Sequence, residues 1–420
     1  MTETKSFQRK WGRSWLQKRL PTWLIAVALR ILASRLCLDA LSRRPELVVP
    51  QNSYRRLLDG IKLYRNGISP YDGDLFYYQP TVLYVFEKII DFPVVVYCLF
   101  IVADILCSEF LSLAASSYLD LLPKHPEKDN QNLEIHRIPD LVCKCYLLNP
   151  ISICSCTILS FSVVTNAVMA VFIFAFTKGH LVLMSVLLGL LAHLSLYPAI
   201  LIGAVCTRFT SNNQRLIAVL TAFLSFIIFQ AAGAYMIDYE FHIDATYGFL
   251  LRCRDVTPNI GIFWYFFMEV FEQFYEFFVW VFQLNIVIYV VPLSLTLRKN
   301  PLFLLETLLL LISAFSPYPT LAEGTVYLSF LPVFHELKKH MRWTLVVGIT
   351  LATCVVLTPV MWQMWIVTGS GNANFYFAVT LCYCLAQASL LTDLVGAFLR
   401  KQLQDDNPEK DYSKCVYVFR

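Results

Sequence analysis

"PTWLIAVALRILASRLCLDAL" (Pro21 to Leu41) is the first long apolar run in the chain, and its N-terminal flank decides how everything after it is read. Lys5, Arg9, Lys10, Arg13, Lys18 and Arg19 precede it without a cleavage pattern. The run therefore reads as an uncleaved start-transfer span whose N-terminus stays in the cytoplasm. Similar runs recur along all 420 residues. With 57% hydrophobic and 15% charged residues, and a mean hydropathy of +0.57, there is too little polar surface to cover a water-facing globule. The composition implies an all-α polytopic membrane protein, with room for roughly ten to twelve helices of about 20 residues. A formal charge of +4 is too small to point to nucleic acid.

Apolar runs lie near 21–41, 92–121, 145–160, 162–177, 180–196, 197–208, 216–237, 277–297, 301–316, 318–334, 343–367 and 374–399. Short cytoplasmic loops carry the excess of Lys and Arg. With the N-terminus inside, the even-numbered loops should be basic, and they hold Lys124, Lys128, Arg137 and Lys144, then Lys178, Arg208 and Arg215, Arg298 and Lys299, and Lys338, Lys339 and Arg342. The expectation is twelve spans with both termini cytoplasmic: a basic segment 1–20, one membrane domain 21–400 and a tail 401–420.

Two outward loops are long, about 42–91 and about 238–276. In the first, "NSYRRLLDGIKLYRNG" reads as an amphipathic helix ended by Gly67. After the second begins, the helical run from Ile262 to Leu297 would be about 54 Å long, beyond a hydrocarbon core of about 30 Å. Residues 262–276 are therefore expected in the interface, with Glu269, Glu272 and Glu276 on one face and the span starting at Phe277. Intramembrane charges read as few and mostly near span ends.

Thirteen cysteines, an odd number and mostly inside apolar runs, argue against a disulfide framework. The pairs Cys143/Cys145, Cys154/Cys156 and Cys382/Cys384 point in nearly opposite directions on a helix and make poor metal ligands. No metal or cofactor is expected. Asp72-Gly73-Asp74 has two readings. It is either an acid pair of the kind that serves a sugar transferase as general base, or a turn set by Pro70 and Gly73. Nucleophilic catalysis would need a Cys held by a His. His125, His136, His335 and His340 fall in cytoplasmic loops, and His242 with Cys253 in the second outward loop is no evidence of a dyad. Between Phe263 and Tyr289 about half of the side chains are aromatic, Phe278 and Phe282 among them, which suits an interfacial belt and a slot for acyl chains or a helix. Gln283 and Asn285 are uncharged amides inside a span and need partners or a cavity. Asp255 and Asn259 stand at the entry to this element. Asn372 and Asn374, in "GSGNAN", offer amides suited to sugar hydroxyls, or equally caps for the last helix.

Seven blocks, "GISPYDGDLFYYQPTVLYVF", "YLLNPISICSC", "HLSLYPAILI", "DVTPNIGIFWYFFMEVFEQF", "FFVWVFQLNIVIYVVPLSL", "SPYPTLAEGTVYLSFLPVF" and "GSGNANFYFAVTL", run in an order that resembles the PIG-U family, the U subunit of glycosylphosphatidylinositol (GPI) transamidase. The resemblance covers about residues 60 to 400. It implies a multi-pass subunit of an endoplasmic-reticulum complex, with a cysteine-protease-like catalytic partner, that helps recognise the GPI glycolipid or the C-terminal attachment signal. It also implies that "FFVWVFQLNIVIY" is a lipid-recognition segment. More distantly, Ser-Pro-Tyr, Leu-Asn-Pro and Leu-Tyr-Pro resemble GPI mannosyltransferases of the GT-C fold, so the alternative function is an active mannosyltransferase using dolichyl-phosphate mannose. In that fold the essential acids follow the first span. Here the stretch holds only Glu46, beside Arg43 and Arg44, which are expected to keep it ionised and weakly basic.

Overall fold

A computed structural model describes residues 2–122, 129–237 and 242–407. The side chains of Lys5 to Arg13, the residues Lys124, His125 and Lys128, and the tail beyond Asn407 lie outside that description. Among the described residues the regular structure is helical and no strand occurs. The helices are α1 (Thr2–Leu36), α2 (Tyr54–Arg65), α3 (Pro80–Ile89), α4 (Pro93–Leu119), α5 (Asp129–Leu147), α6 (Pro150–Thr157), α7 (Ser162–Lys178) and α8 (Leu181–Leu194). They continue as α9 (Ile202–Arg208), α10 (Asn212–Met236), α11 (Phe263–Glu269), α12 (Glu272–Ile288), α13 (Pro301–Phe315), α14 (Leu321–Phe330), α15 (Thr344–Trp362) and α16 (Ala373–Asp406). Among the described residues, five stretches are long and apolar enough to cross a membrane: Pro93–Leu119, Asn212–Met236, Glu272–Thr296, Thr344–Val367 and Ala373–Asp406. α7, α8 and α13 are shorter and apolar. The chain is an all-α polytopic membrane protein.

Several boundaries differ from the sequence reading, each for a local reason. The run 145–160 is not one helix. Pro150 has no N–H to continue α5, Asn149 turns its Oδ1 to the Ile151 N–H (2.9 Å), and α6 starts afresh. The run 197–208 begins as a 3₁₀ turn, Tyr197–Leu201, around Pro198 and leaves only seven residues of α-helix in α9. The 262–297 run breaks between Glu269 and Glu272, so the long helix starts at Glu272 rather than Phe277 and takes Glu272 and Glu276 with it.

The core is built by α4 against α7 and α5, α8 against α10, and α16 against α15 and α13. α13 is buried nearly all round. Gly189 lets the α8 and α10 backbones meet, because a methyl there would stand 2.5 Å from the Ala222 carbonyl oxygen. Charges inside the bundle correct the expectation that they sit mostly near span ends. Arg30, 1% exposed, donates from Nε and Nη2 to Asp104 on α4 (2.8 and 2.5 Å), and Asp104 is fully buried. Arg30 Nη1 donates to the Leu147 carbonyl (3.1 Å), one of those left open where α5 ends. Two further contacts bind α1 to α4: Trp23 donates to Glu109 (2.9 Å), and Arg19 donates to Ser112 (2.6 Å) and to Asp140 on α5 (3.0 Å).

Loop contacts fall into two groups. At one end of the bundle Leu321 N donates to Glu46 O, Phe161 N to Asn52 O, and Arg56 meets Asp255. At the other, Asn300 donates to the Tyr118 hydroxyl and Lys401 pairs with Glu336.

Arg30→Leu should cost about 3–5 kcal/mol by leaving Asp104 buried without its partner, whereas the double variant Arg30→Leu/Asp104→Leu should recover most of that loss. Thermal unfolding in detergent measures it; a double variant no more stable than the single one would contradict this account.

Candidate functional site

The first end of the bundle is organised around the segment 244–255. Asp244–Gly248 forms a π-type turn, Phe249–Arg252 a single helical turn, and Cys253 closes it at φ +50°. A short helix leaves its last carbonyls open. Gln283 of α12 closes them: its Nε2 donates to Leu250 O (2.8 Å) and Leu251 O (3.2 Å) while its Oε1 accepts from the Tyr197 hydroxyl (2.8 Å). Tyr275 adds a bond to Cys253 O (2.8 Å). Both capping side chains come from α12, so the long helix sets the position of the turn.

Phe249 lies in a stack, with its ring 3.7 Å from Tyr77 and 4.4 Å from Tyr318. Tyr77 in turn donates its hydroxyl to the Asp74 carbonyl (2.5 Å), which pins the Asp72-Gly73-Asp74 turn. Burial, with the charge of Asp255 adding to it, pushes the Tyr77 phenol up to about 12, so it remains a donor at physiological pH. Beside this stack opens a cleft of about 360 Å³, lined by Asp72, Asp74, Asp244, Arg252 and Arg254 with Tyr71. Arg252 pairs with Asp244 at 3.0 Å. The lining thus brings carboxylates, guanidiniums and aromatic rings together, a combination suited to a polar head with sugar rings.

Around α12 some of the aromatic side chains form a cluster, while Phe271, Phe274, Phe277, Trp280 and Tyr289 stay exposed. Phe282 touches Phe263, Phe266 and Phe267 (centroids 5.0, 4.7 and 5.4 Å), and Phe278 packs on Phe266 (5.1 Å). On its other side α11 presents Tyr265 to Phe377 (4.3 Å, stacked) and to the Asn374 side chain, which accepts the Tyr265 hydroxyl. α11 therefore joins the Phe278/Phe282 cluster to the Asn372/Asn374 turn.

Most of the amides and carboxylates singled out from the sequence already have partners within the chain. Asn259 is buried and accepts from Gly261 N (2.7 Å) while donating to Pro317 O (3.4 Å). Asn372 caps α16 through Asn374 N and Phe375 N (3.1 and 3.3 Å). Asp255 accepts from Thr257 N (2.9 Å) and meets Arg56, whose guanidinium lies over Tyr77. Asn285 differs: it is half-buried, and no described residue bonds to its side-chain amide. The sequence reading overlooked Tyr77, Asp244, Arg252 and Arg254, and it treated Asp72 and Asp74 as either catalytic or idle. "RCRD" (Arg252 to Asp255) was visible as charge, but which loop it would face was not.

Glu46 requires a correction. Arg44 spends its guanidinium on the Pro359 carbonyl (3.2 Å), leaving Glu46 2% exposed with neither carboxyl oxygen bonded to another residue. Burial, only partly offset by Arg44, pushes its carboxyl up to about 7. Cys253 is equally plain: it donates to Leu250 O and receives Gln283 Nε2, and no histidine is among these partners. Every described cysteine is unbridged, and among the described residues no group of three potential metal ligands occurs.

Fold and site together define a helical polytopic membrane protein with a mixed-charge cleft and an aromatic cluster at one end of its bundle. Residues 24–383 match the family described as GPI transamidase subunit PIG-U. The chain belongs to that family, which decides between the two functions left open by the sequence in favour of the transamidase. It is 33% identical over 407 residues to the GPI-anchor transamidase component PIGU of Cricetulus griseus (90% of this chain, 93% of that one). It is 33% identical over 410 residues to the human component of that name (90% and 93%). To the GPI transamidase component GAB1 of Saccharomyces cerevisiae it is 28% identical over 395 residues (91% and 96%).

A carboxyl near 7 when folded and about 4.3 when unfolded keeps its proton longer in the folded state. The stability this gives is complete below about pH 4.3 and is lost as pH rises to about 7. Glu46→Gln should therefore raise the unfolding midpoint by a few degrees at pH 7.5 and leave it nearly unchanged at pH 4.5, as read by thermal melts of the purified protein across that range.

Proposed function

We propose that the protein is a non-catalytic subunit of the GPI transamidase complex that positions the GPI glycolipid, with its apolar part along the Phe278/Phe282 cluster and its polar head toward the cleft. The observation that carries this reading is Gln283: one side chain ties the aromatic cluster on α12 to the segment bearing Arg252 and Arg254. A lipid lying across both would meet apolar and polar surfaces held in fixed register. In this reading the cleft faces the lumen of the endoplasmic reticulum, both termini are cytoplasmic, and the other transamidase subunits, including the cysteine-protease-like one, supply the chemistry. The partners of Cys253 agree with a chain that carries no nucleophile of its own. Asn285 is the residue most exposed to a ligand's influence, because its amide is left open beside the cluster.

Asn285→Leu should lower GPI attachment several-fold at equal expression and without loss of complex assembly. Asp72→Asn with Asp74→Asn should weaken attachment but not abolish it, since the carboxylates bind rather than react. Surface display of a GPI-anchored reporter, with co-purification of the complex as the assembly control, measures both. Cells lacking the protein should accumulate complete GPI alongside uncleaved precursors; accumulation of unmannosylated intermediates would refute the proposal.

A further inference from the structure

Lys338, Lys339 and Arg342 form a run of cations that neither the cleft nor the aromatic cluster uses. The run lies at the end of the bundle away from the cleft, where the 3₁₀ turn Leu331–Lys339 leads into α15. A 3₁₀ helix repeats every three residues, and Phe334 and Leu337, with Val333, are buried against the bundle. Lys338 and Lys339 are thereby turned outward, and both are exposed.

The segment is fixed as well as exposed. Asp393 of α16 accepts from the backbone N–H groups of Arg342 and Trp343 (3.0 and 2.9 Å), and Arg400 donates to the His340 carbonyl (2.9 Å). The charge of the two lysines is not met from within. Among the described residues the acids of the turn and of α16 already have cations. Glu336 and Asp405 pair with Lys401 (2.5 and 3.6 Å), Asp406 with Lys299 (3.7 Å) and Asp393 with Arg400 (3.4 Å). No described acid pairs with Lys338 or Lys339.

Directly after these cations comes Trp343, and then an outward stripe of α15 formed by Leu345, Ile349, Ala352 and Val356, all of them exposed. Cations, an indole and an apolar face thus follow one another along the line from the water boundary into the bilayer. Tryptophan prefers that boundary, and lysine or arginine just outside a span draws negatively charged head groups to it. A soluble acidic partner would account for the lysines but not for the apolar stripe that continues from them. A zwitterionic lipid would account for the stripe, but its own ammonium would stand among the cations.

We propose that Lys338, Lys339, Arg342 and Trp343 bind the head of an anionic phospholipid whose acyl chains lie along the exposed face of α15. The charge pattern of the sequence assigns this end to the cytoplasm, the side on which anionic lipids concentrate. The site is separate from the cleft and does not depend on what the cleft binds.

The purified complex is reconstituted in vesicles of phosphatidylcholine with phosphatidylglycerol and extracted again in mild detergent, and the phospholipid that stays bound is measured by mass spectrometry. The expected result is phosphatidylglycerol enriched several-fold over its share of the vesicle, and less so as salt is raised. The enrichment should drop in Lys338→Gln/Lys339→Gln and persist in Lys178→Gln, which removes an exposed cation from another helix. Bound lipid that matches the vesicle, enrichment that survives the double variant, or an equal drop in Lys178→Gln overturns the proposal. Should the double variant fail to assemble, tryptophan fluorescence decides. Phosphatidylglycerol brominated in its acyl chains should then quench more than brominated phosphatidylcholine, and Trp343→Phe should remove the difference. Equal quenching by the two lipids, or a difference that survives Trp343→Phe, overturns the site.

Discussion

The rest of the bundle depends on the pairing of Arg30 with Asp104. Two opposite charges, each fully enclosed among apolar helices, tolerate no partner exchange, because separating them would leave an uncompensated charge in a medium that cannot solvate it. The pair fixes the register of α1 against α4, and the Trp23 and Arg19 contacts above it hold that register along the helices. It also explains why α5 can end where it does. A helix that stops inside a bundle exposes carbonyls to hydrocarbon, and the Arg30 guanidinium absorbs one of them at Leu147. The break at Asn149-Pro150 then lets α6 turn back against α1, so one side chain serves as counter-ion, register key and helix cap.

A second constraint of the same kind operates at the end that holds the cleft. The Phe249–Arg252 turn is too short to hold itself, since a single turn fixes many dihedral angles for very few hydrogen bonds. Gln283 and Tyr275 supply the missing bonds from α12, and the Tyr77–Phe249–Tyr318 stack clamps the other face. The geometry of the cleft therefore follows from a long, well-packed helix and not from the loop that lines it. That is how an irregular segment can present Arg252 and Arg254 in a defined place.

What could be read from the chain divides along physical lines. Apolar runs, the aromatic density of 263–289 and the capping preference of Asn372 are local properties, and the sequence carries them in full. Pairings are not local. Arg30 and Asp104 are 74 residues apart, Arg56 and Asp255 are 199 apart, and neither partner announces the other. The break between Glu269 and Glu272 falls where no proline or glycine marks it, and there tertiary packing of Phe263, Phe266 and Phe267 against Phe282 overrides an otherwise continuous helical pattern. Glu46 shows the opposite failure. Two neighbouring arginines suggested a stabilised anion, but proximity in sequence decided nothing once Arg44 turned to a backbone carbonyl and burial became the dominant influence.

The polar side chains of the bundle can then be sorted by whether the protein has used them. Gln283, Asn259, Asn52 and Gln387 spend their amides on backbone carbonyls or neighbouring side chains, so replacing them would disturb structure before it disturbed any ligand. The Asn285 amide, the Asn166 and Gln51 oxygens and the Glu323 carboxylate are not spent on side chains of this chain. In a membrane interior an unspent polar group carries a desolvation cost that nothing in the fold offsets. In this bundle such groups are spread widely: among the described residues Glu46, Gln79, Glu306 and Ser316 also hold buried polar atoms without a hydrogen-bond partner, while in the open cleft Asp244 pairs with Arg252.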